Sequence, residues 1–189
     1  MIIGLTGTKA SGKGIVADIL QAKDFVYTST SDRVREEAVE RGILNYTIRD
    51  LQDIGNELRN RFGAGVLVKR SLELVGERKN IVIDGIRNVG EVQELRKQKD
   101  FILIGIDAPL EIRYKRLIER GRESDPKTWE DFLAMDRRDK GIGELNIGQQ
   151  VEACMNMADI KIYNEGTLKQ LEEKIIEILS KFVKRPGWD

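Results

Sequence analysis

A chain of 189 residues, 40% hydrophobic and 34% charged, has the length and apolar content for one domain that buries a central sheet under helices. Lys plus Arg and Asp plus Glu each total 32, so the bulk charge excludes a polycationic nucleic-acid footprint and any basic site must be local. There is no histidine, which removes imidazole bases, His-bound metals and Ser-His triads; one cysteine, Cys154, removes intramolecular disulfides and thiolate clusters.

The first apolar stretch, Ile2 to Thr6, is too short for a signal segment or a membrane span, so the expectation is a cytoplasmic protein with no membrane partner and no direct nucleic-acid partner. Its β-branched residues predict a strand. Directly after it, Gly7-Thr8-Lys9-Ala10-Ser11-Gly12-Lys13 fits the phosphate-loop pattern G-x-x-x-x-G-K, and Ile15, Val16, Ile19 and Leu20 follow at helical spacing. Strand, glycine-rich loop and helix in this order make an anion cradle: glycines let backbone N–H groups converge, the helix N-terminus adds partial positive charge, and Lys13 reaches the β/γ oxygens. The residue after Lys13 is Gly14 and the next is Ile15, so the loop lacks the hydroxyl that commonly helps position a metal.

Phe25 to Ser29 predicts the second strand. It runs into Ser29-Thr30-Ser31-Asp32-Arg33-Val34-Arg35, whose spacing by itself reads first as a capped helix start, with a binding segment as the alternative. Asn80 to Gly85 is a nearly continuous apolar run, as in a parallel strand covered on both faces, and it ends in Asp84-Gly85-Ile86-Arg87. A carboxylate at the C-terminal edge of such a strand, beside a phosphate loop, suits a group that holds magnesium through water, with Arg87 as a phosphate clamp.

Phe101 to Asp107 predicts the fourth strand. The helix after it places Arg113, Arg116 and Arg120 three and four residues apart on one face, and Asp136-Arg137-Arg138-Asp139 follows the polar block Glu119 to Lys127. An ion-paired solvated face and an arginine lid closing over phosphates both fit this pattern. Asp159 to Asn164 predicts the fifth strand, and Leu168, Leu171, Ile175, Ile178, Leu179 and Phe182 then define a closing amphipathic helix. Strands alternating with helices predict an α/β three-layer sandwich with a five-stranded parallel sheet, helices on both faces and a small lid.

With these segments together, the chain resembles the nucleoside monophosphate kinases among P-loop phosphotransferases, adenylate kinase being the nearest familiar example. That family's loop also ends G-K-G. Its S-T-G-D-x-L-R segment is similar to Ser29 to Arg35, which implies acceptor-phosphate contacts from Thr30, Asp32 and Arg35. Its D-G-F-P-R is similar to Asp84-Gly85-Ile86-Arg87, which implies that Arg87 grips the same phosphate and that Asp84 sits by the metal. Arg116, Arg120, Arg137 and Arg138 fall where lid arginines belong. The donor would lie on Gly7, Thr8, Lys9, Ala10, Ser11, Gly12, Lys13, Gly14 and Ile15, with Asn164 and Gly166 near its base.

The opening Ile2 to Gly7 and the stretch Met157 to Leu168 look more like dephospho-CoA kinase, and the tail Lys184-Arg185-Pro186-Gly187-Trp188-Asp189 is similar to the opening R-P-x-W-D of deoxycytidylate deaminase. The resemblances imply a kinase-like domain over 1–184, with an acceptor segment near 29–78, a lid near 116–140 and a tail of 185–189. The expected activity is phosphoryl transfer from ATP, with Mg2+, to a nucleoside or deoxynucleoside monophosphate. Dephospho-CoA phosphorylation, or nucleotide sensing without transfer beside a fused or associated deaminase, are the alternatives.

Overall fold

The computed structural model describes residues 1–122, 125–144 and 146–182. In chain order the elements are β1 (Ile2–Gly7), α1 (Lys13–Gln21), β2 (Val26–Ser29), α2 (Thr30–Glu40), α3 (Ile48–Phe62), α4 (Val66–Val75), β3 (Ile81–Ile86), α5 (Val89–Leu95), β4 (Phe101–Asp107), α6 (Leu110–Arg120), α7 (Trp129–Lys140), α8 (Val151–Asn156), β5 (Ile160–Tyr163) and α9 (Leu168–Phe182). The five strands form one parallel sheet in the order β2-β3-β1-β4-β5. All five predicted strands and the closing helix are present.

The continuous apolar runs follow from coverage on both faces. On one side Ile3, Leu5, Val82, Ile104 and Ile106 pack against Val16 and Leu20 of α1 and Leu171, Ile175 and Leu179 of α9. On the other, Ile2, Ile81, Ile83 and Leu103 meet Val68 of α4, Val92 and Leu95 of α5, and Cys154 of α8. Adjacent residues of β1 therefore feed opposite cores, which is why every residue of that strand is buried. Each buried Leu, Ile or Val contributes roughly 1.5–3 kcal/mol, so the sheet is the rigid platform of the molecule. The Cys154 thiol, buried in this second core, is pushed up to about 12 by desolvation and is a packing group.

Two smaller clusters carry the parts outside the sandwich. Val34 and Ala38 of α2, Ile54 and Leu58 of α3, and Val66 and Leu67 of α4 tie the predicted acceptor segment together. Leu117 of α6 packs with Phe132 and Met135 of α7, and Ala10 of the phosphate loop touches this cluster. Tyr114, Trp129 and Phe132 add an aromatic triangle with centroids 5.1–5.4 Å apart. No helix among the described residues is long and apolar enough to cross a membrane. Residues 183–189, which hold the deaminase-like motif, lie outside the described residues.

Candidate active site

The order β2-β3-β1-β4-β5 puts the phosphate loop after the central strand, between the C-terminal ends of β3 and β4, where open α/β sheets bind ligands. Two glycines are forced there by space and dihedral. Gly7 has φ 139 and a Cβ on it would run into the Ile106 carbonyl; Gly12 has φ 109 and a Cβ would overlap the Asn164 amide. At Gly14 a Cβ would meet nothing, and Ile15 is exposed, so both departures from a hydroxyl-bearing loop face open space.

Three braces, two from neighbouring strand ends and one from α6, hold the loop. Thr8 Oγ1 donates to Asp107 Oδ1 at 2.5 Å, Asn164 Nδ2 donates to the Ser11 carbonyl at 2.8 Å, and Arg113 Nη1 reaches the Lys9 carbonyl at 3.4 Å. Lys13 is buried and its Nζ donates to the Gly7 and Thr8 carbonyls at 2.8 and 2.7 Å. Desolvation lowers its pKa to about 8, with Asp84 opposing that shift and Arg87 adding to it. The Asn164 side chain thus secures the loop, while its backbone N–H donates to the Asp107 carbonyl at 2.7 Å.

Asp84 stands two residues before the end of β3, in register with Leu5 and Ser29. Its Oδ1 is buried and has no hydrogen-bond partner. An orphaned carboxylate oxygen near Lys13, in a site of oxygen donors without His or Cys, fits a hydrated hard cation such as magnesium. Among the described residues no group of three or more acidic, His or Cys side chains gathers to hold a metal, so nucleotide phosphates and water would complete the shell.

Beside the loop, Lys9, Thr30, Arg35, Gln52, Arg59 and Arg87 line one cleft. The sequence pointed to Thr30, Arg35 and Arg87, and the fold brings them together with a loop lysine. Thr30 Oγ1 donates to the Gly85 carbonyl at 2.5 Å, and Arg35 pairs with Asp32 at 2.6 Å. Arg87 faces Asp139 of α7 at 3.3 Å, and that carboxylate also accepts from Gln52 Nε2 at 2.6 Å. Arg59 pairs with Glu91 at 2.9 Å, and the second oxygen of Glu91 accepts the N–H groups of Arg87 and Asn88 at the start of α5. Desolvation lowers the Lys9 pKa to about 7; Asp139 opposes this, Arg87 adds to it.

The arginines of α6 and α7 divide into distinct roles. Arg113 is fully buried, held by the Ala108 carbonyl at 2.9 Å and Asp136 at 2.6 Å, so the solvated-face reading does not apply to it. Arg116 lies over the loop, 3.4–3.5 Å from the carbonyls of Ala10, Ser11 and Asn164. Arg120 is bidentate to Asp125 at 2.6 and 2.7 Å, and Arg138 bridges Asp53 and Glu144 at 2.5 and 2.7 Å. Arg137 is exposed. Gly166 sits in the turn before α9, where a Cβ would press on Gln170.

A UPF0200 protein of Pyrococcus horikoshii is 37% identical over 190 residues, covering 97% of this chain and 98% of the relative. The chain belongs to the UPF0200 family. A UPF0200/UPF0201 protein of Archaeoglobus fulgidus is 35% identical over 189 residues, covering 97% of this chain and 56% of that longer protein. The AAA domain model matches residues 3–138. Among solved structures, shikimate kinase from Acinetobacter baumannii, in complex with shikimate, has a TM-score of 0.58 at 17% identity, covering 97% of this chain and 95% of that one. These similarities give this UPF0200 chain the α/β fold of P-loop kinases.

In this UPF0200 member, Gln52, Arg59 and Gln149 line the cleft without belonging to a sequence motif, and Asp139 stands in a motif that points only to its arginines. Gln52, Gly55 and Arg59 recur at three and four along α3, beside the apolar stripe Leu51, Ile54 and Leu58, so a polar face bordering a core stripe was the available signal. Gln149, only 3% exposed, lies just ahead of α8, outside any periodic segment.

Proposed function

We propose that this protein transfers the γ-phosphoryl group of ATP to the phosphate of a nucleoside or deoxynucleoside monophosphate. One observation carries the reading: Arg35 and Arg87, from two chain segments, line a single cleft with Lys9 of the phosphate loop. Guanidinium groups hold a phosphate monoester in two-point contact, and the loop beside them presents the donor, so the two phosphates meet in line. An acceptor oxygen attacks the γ-phosphorus while the bond to the ADP oxygen breaks. An ionised phosphate oxygen has no proton to lose, so a chain without histidine needs no general base for this step.

Lys13 would leave its loop carbonyls for the β/γ oxygens, and Arg116 already lies across Ala10 and Ser11, where it would offset charge on the transferred group. Arg120, Arg137 and Arg138 would enter only if the α6–α7 region closes, since Arg120 and Arg138 are engaged with Asp125, Asp53 and Glu144. Magnesium, held by Asp84 through water, would supply further neutralisation of the triphosphate. The turn Asn164-Glu165-Gly166 would approach the adenine by backbone.

A second reading, a sensor that binds nucleotide without transfer, is favoured by Gly14 and Ile15, which leave no hydroxyl beside Lys13. A coupled assay of ATP turnover decides between them, using nucleoside and deoxynucleoside monophosphates, dephospho-CoA, shikimate and gluconate as acceptors and Lys13→Ala as control. Stimulation by a monophosphate alone supports the kinase reading. Stimulation by dephospho-CoA or a hydroxylated acid reassigns the acceptor, and nucleotide binding without stimulation leaves the sensor.

A further inference from the structure

The phosphate loop carries two lysines, and the fold sends them to different places. Lys13 points back into its own loop, tied to the Gly7 and Thr8 carbonyls. Lys9 sits beside Ala10, which takes φ 61, and its carbonyl is drawn toward buried Arg113. The Lys9 side chain leaves the donor cradle and lines the neighbouring cleft with Arg35, Gln52, Arg59 and Arg87.

The other cations of that cleft are neutralised within the protein. Arg35 has Asp32, Arg59 has Glu91, and Arg87 has Asp139. Lys9 alone forms no hydrogen bond or close ion pair through its ammonium among the described residues; the surrounding charges reach it only at longer range. These are Asp139 of α7, Asp125 ahead of that helix, Arg120 of α6 and Arg87 after β3. Gln149 adds a second unfinished contact to the same cleft: it is 3% exposed, and its Oε1 has no partner. A cation in a cleft without a close counter-ion is unfavourable in the free protein and is relieved when an anion arrives.

Resting on the proposed phosphotransfer to a monophosphate, we infer that Lys9 is a ligand of the acceptor's phosphate, not of the donor, and that the cleft is built for a compact dianion. The Lys9 ammonium makes the contact from the donor side and Arg35 and Arg87 make it from the far side, so the lysine spans the gap between the two reacting phosphates. Gln149 Oε1 then accepts a hydroxyl or a protonated oxygen of the same acceptor. The usual loop residue has been recruited to the second substrate by its backbone turn and by the brace of Arg113 on its carbonyl.

The test uses the full chain saturated with ADP, so that the loop's own anion site is filled, and inorganic phosphate as the probe. Calorimetry compares wild type with Lys9→Met, Lys9→Gln and Lys9→Arg. The neutral variants are expected to bind phosphate at least about tenfold more weakly, the arginine variant within about threefold, all with unchanged ADP affinity. In the wild type, labelled at lysine Cε, the Lys9 carbon signal should show its titration moving to higher pH when phosphate is added. Unchanged phosphate affinity in both neutral variants, an equal loss of ADP affinity, or a Lys9 signal indifferent to phosphate overturns the inference. The carbon signal decides it even if the neutral variants do not fold. Failure of every monophosphate to stimulate turnover would instead defeat the kinase reading, while the phosphate-binding result stands by itself.

Discussion

Arg113 Nη1 donates to Asp136 at 2.6 Å with both side chains almost completely buried, joining α6 to α7 beneath the phosphate loop. The guanidinium also lies 5.4 Å from the centre of the Phe132 ring and reaches the carbonyls of Ala108 and Lys9. Lys140 adds a second cation to Asp136 at 2.9 Å, and the Asp136 carboxyl lies below its ordinary range because its bonds to Arg113 and Lys140 overcome the opposing desolvation. Removing Arg113 leaves buried Asp136 with the partly exposed Lys140 as its remaining close counter-ion and empties a packed guanidinium site. Arg113→Ala is expected to destabilise the fold by about 3–5 kcal/mol, measured by urea unfolding. A change within about 0.5 kcal/mol would mean that the pair does not hold α7 in solution.

Arg35 and Arg87 line the same cleft from different segments, where the proposed acceptor phosphate would bind. Loss of one charge-assisted contact is worth roughly 1.5–3 kcal/mol, so Arg35→Ala and Arg87→Ala should each raise the acceptor KM by about 10- to 150-fold with little change in the ATP KM. Because Arg87 also balances Asp139, its variant should additionally lower the melting temperature, whereas Arg35, on a half-exposed pair, should not. An unchanged acceptor KM in both would remove them from the site.

The two loop lysines set a pH dependence of stability with a definite sign. Burial lowers Lys9 to about 7 and Lys13 to about 8 from 10.5, so from those values up to 10.5 the unfolded chain binds more protons than the native one. Unfolding free energy therefore rises with pH through this window, and the destabilisation is fully present below pH 7. Cys154, raised to about 12 from 9.0, acts oppositely above pH 9, so the clean interval is pH 7 to 9. Urea titrations at pH 6, 7.5 and 9 should show Lys9→Met flattening the slope by up to about 1.4 kcal/mol per pH unit. A slope identical to wild type would show that Lys9 is not desolvated in solution.

Gly14 marks where the loop could regain a hydroxyl. A Cβ there meets no atom within 4 Å, and position 14 lies in the first turn of α1. Gly14→Ser should fold, gain about 0.5 kcal/mol in helix propensity, and reduce the Mg2+ concentration needed for half-maximal turnover. Asp84→Asn, which removes the charge from the carboxylate with the orphaned Oδ1, should raise that concentration. If neither variant moves it, the metal is held elsewhere.

Composition and pattern alone determined the class of fold and picked out part of the candidate site. Apolar runs long enough for a strand but too short for a helix read as buried parallel strands, and a glycine-rich loop between strand and helix read as an anion cradle. Thr30 at the start of α2, Asp84 near the end of β3 and Arg87 just beyond that strand were legible from their place near element boundaries, and Arg35, midway along α2, from the resemblance of its segment. Arg113, Arg116 and Arg120 look equivalent in sequence, spaced three and four apart. Only tertiary structure separated them into a buried strut, a residue lying over the loop and a partner of Asp125, because their environments come from Asp136, Asn164 and Asp125 on other segments. The same holds for Lys9 and Lys13: four residues apart in one motif, they differ because a local αL turn at Ala10 and a long-range contact from Arg113 aim one lysine out of the loop. Local pattern records which backbone a residue can adopt, and the charge it faces is decided by chain segments that pattern does not connect.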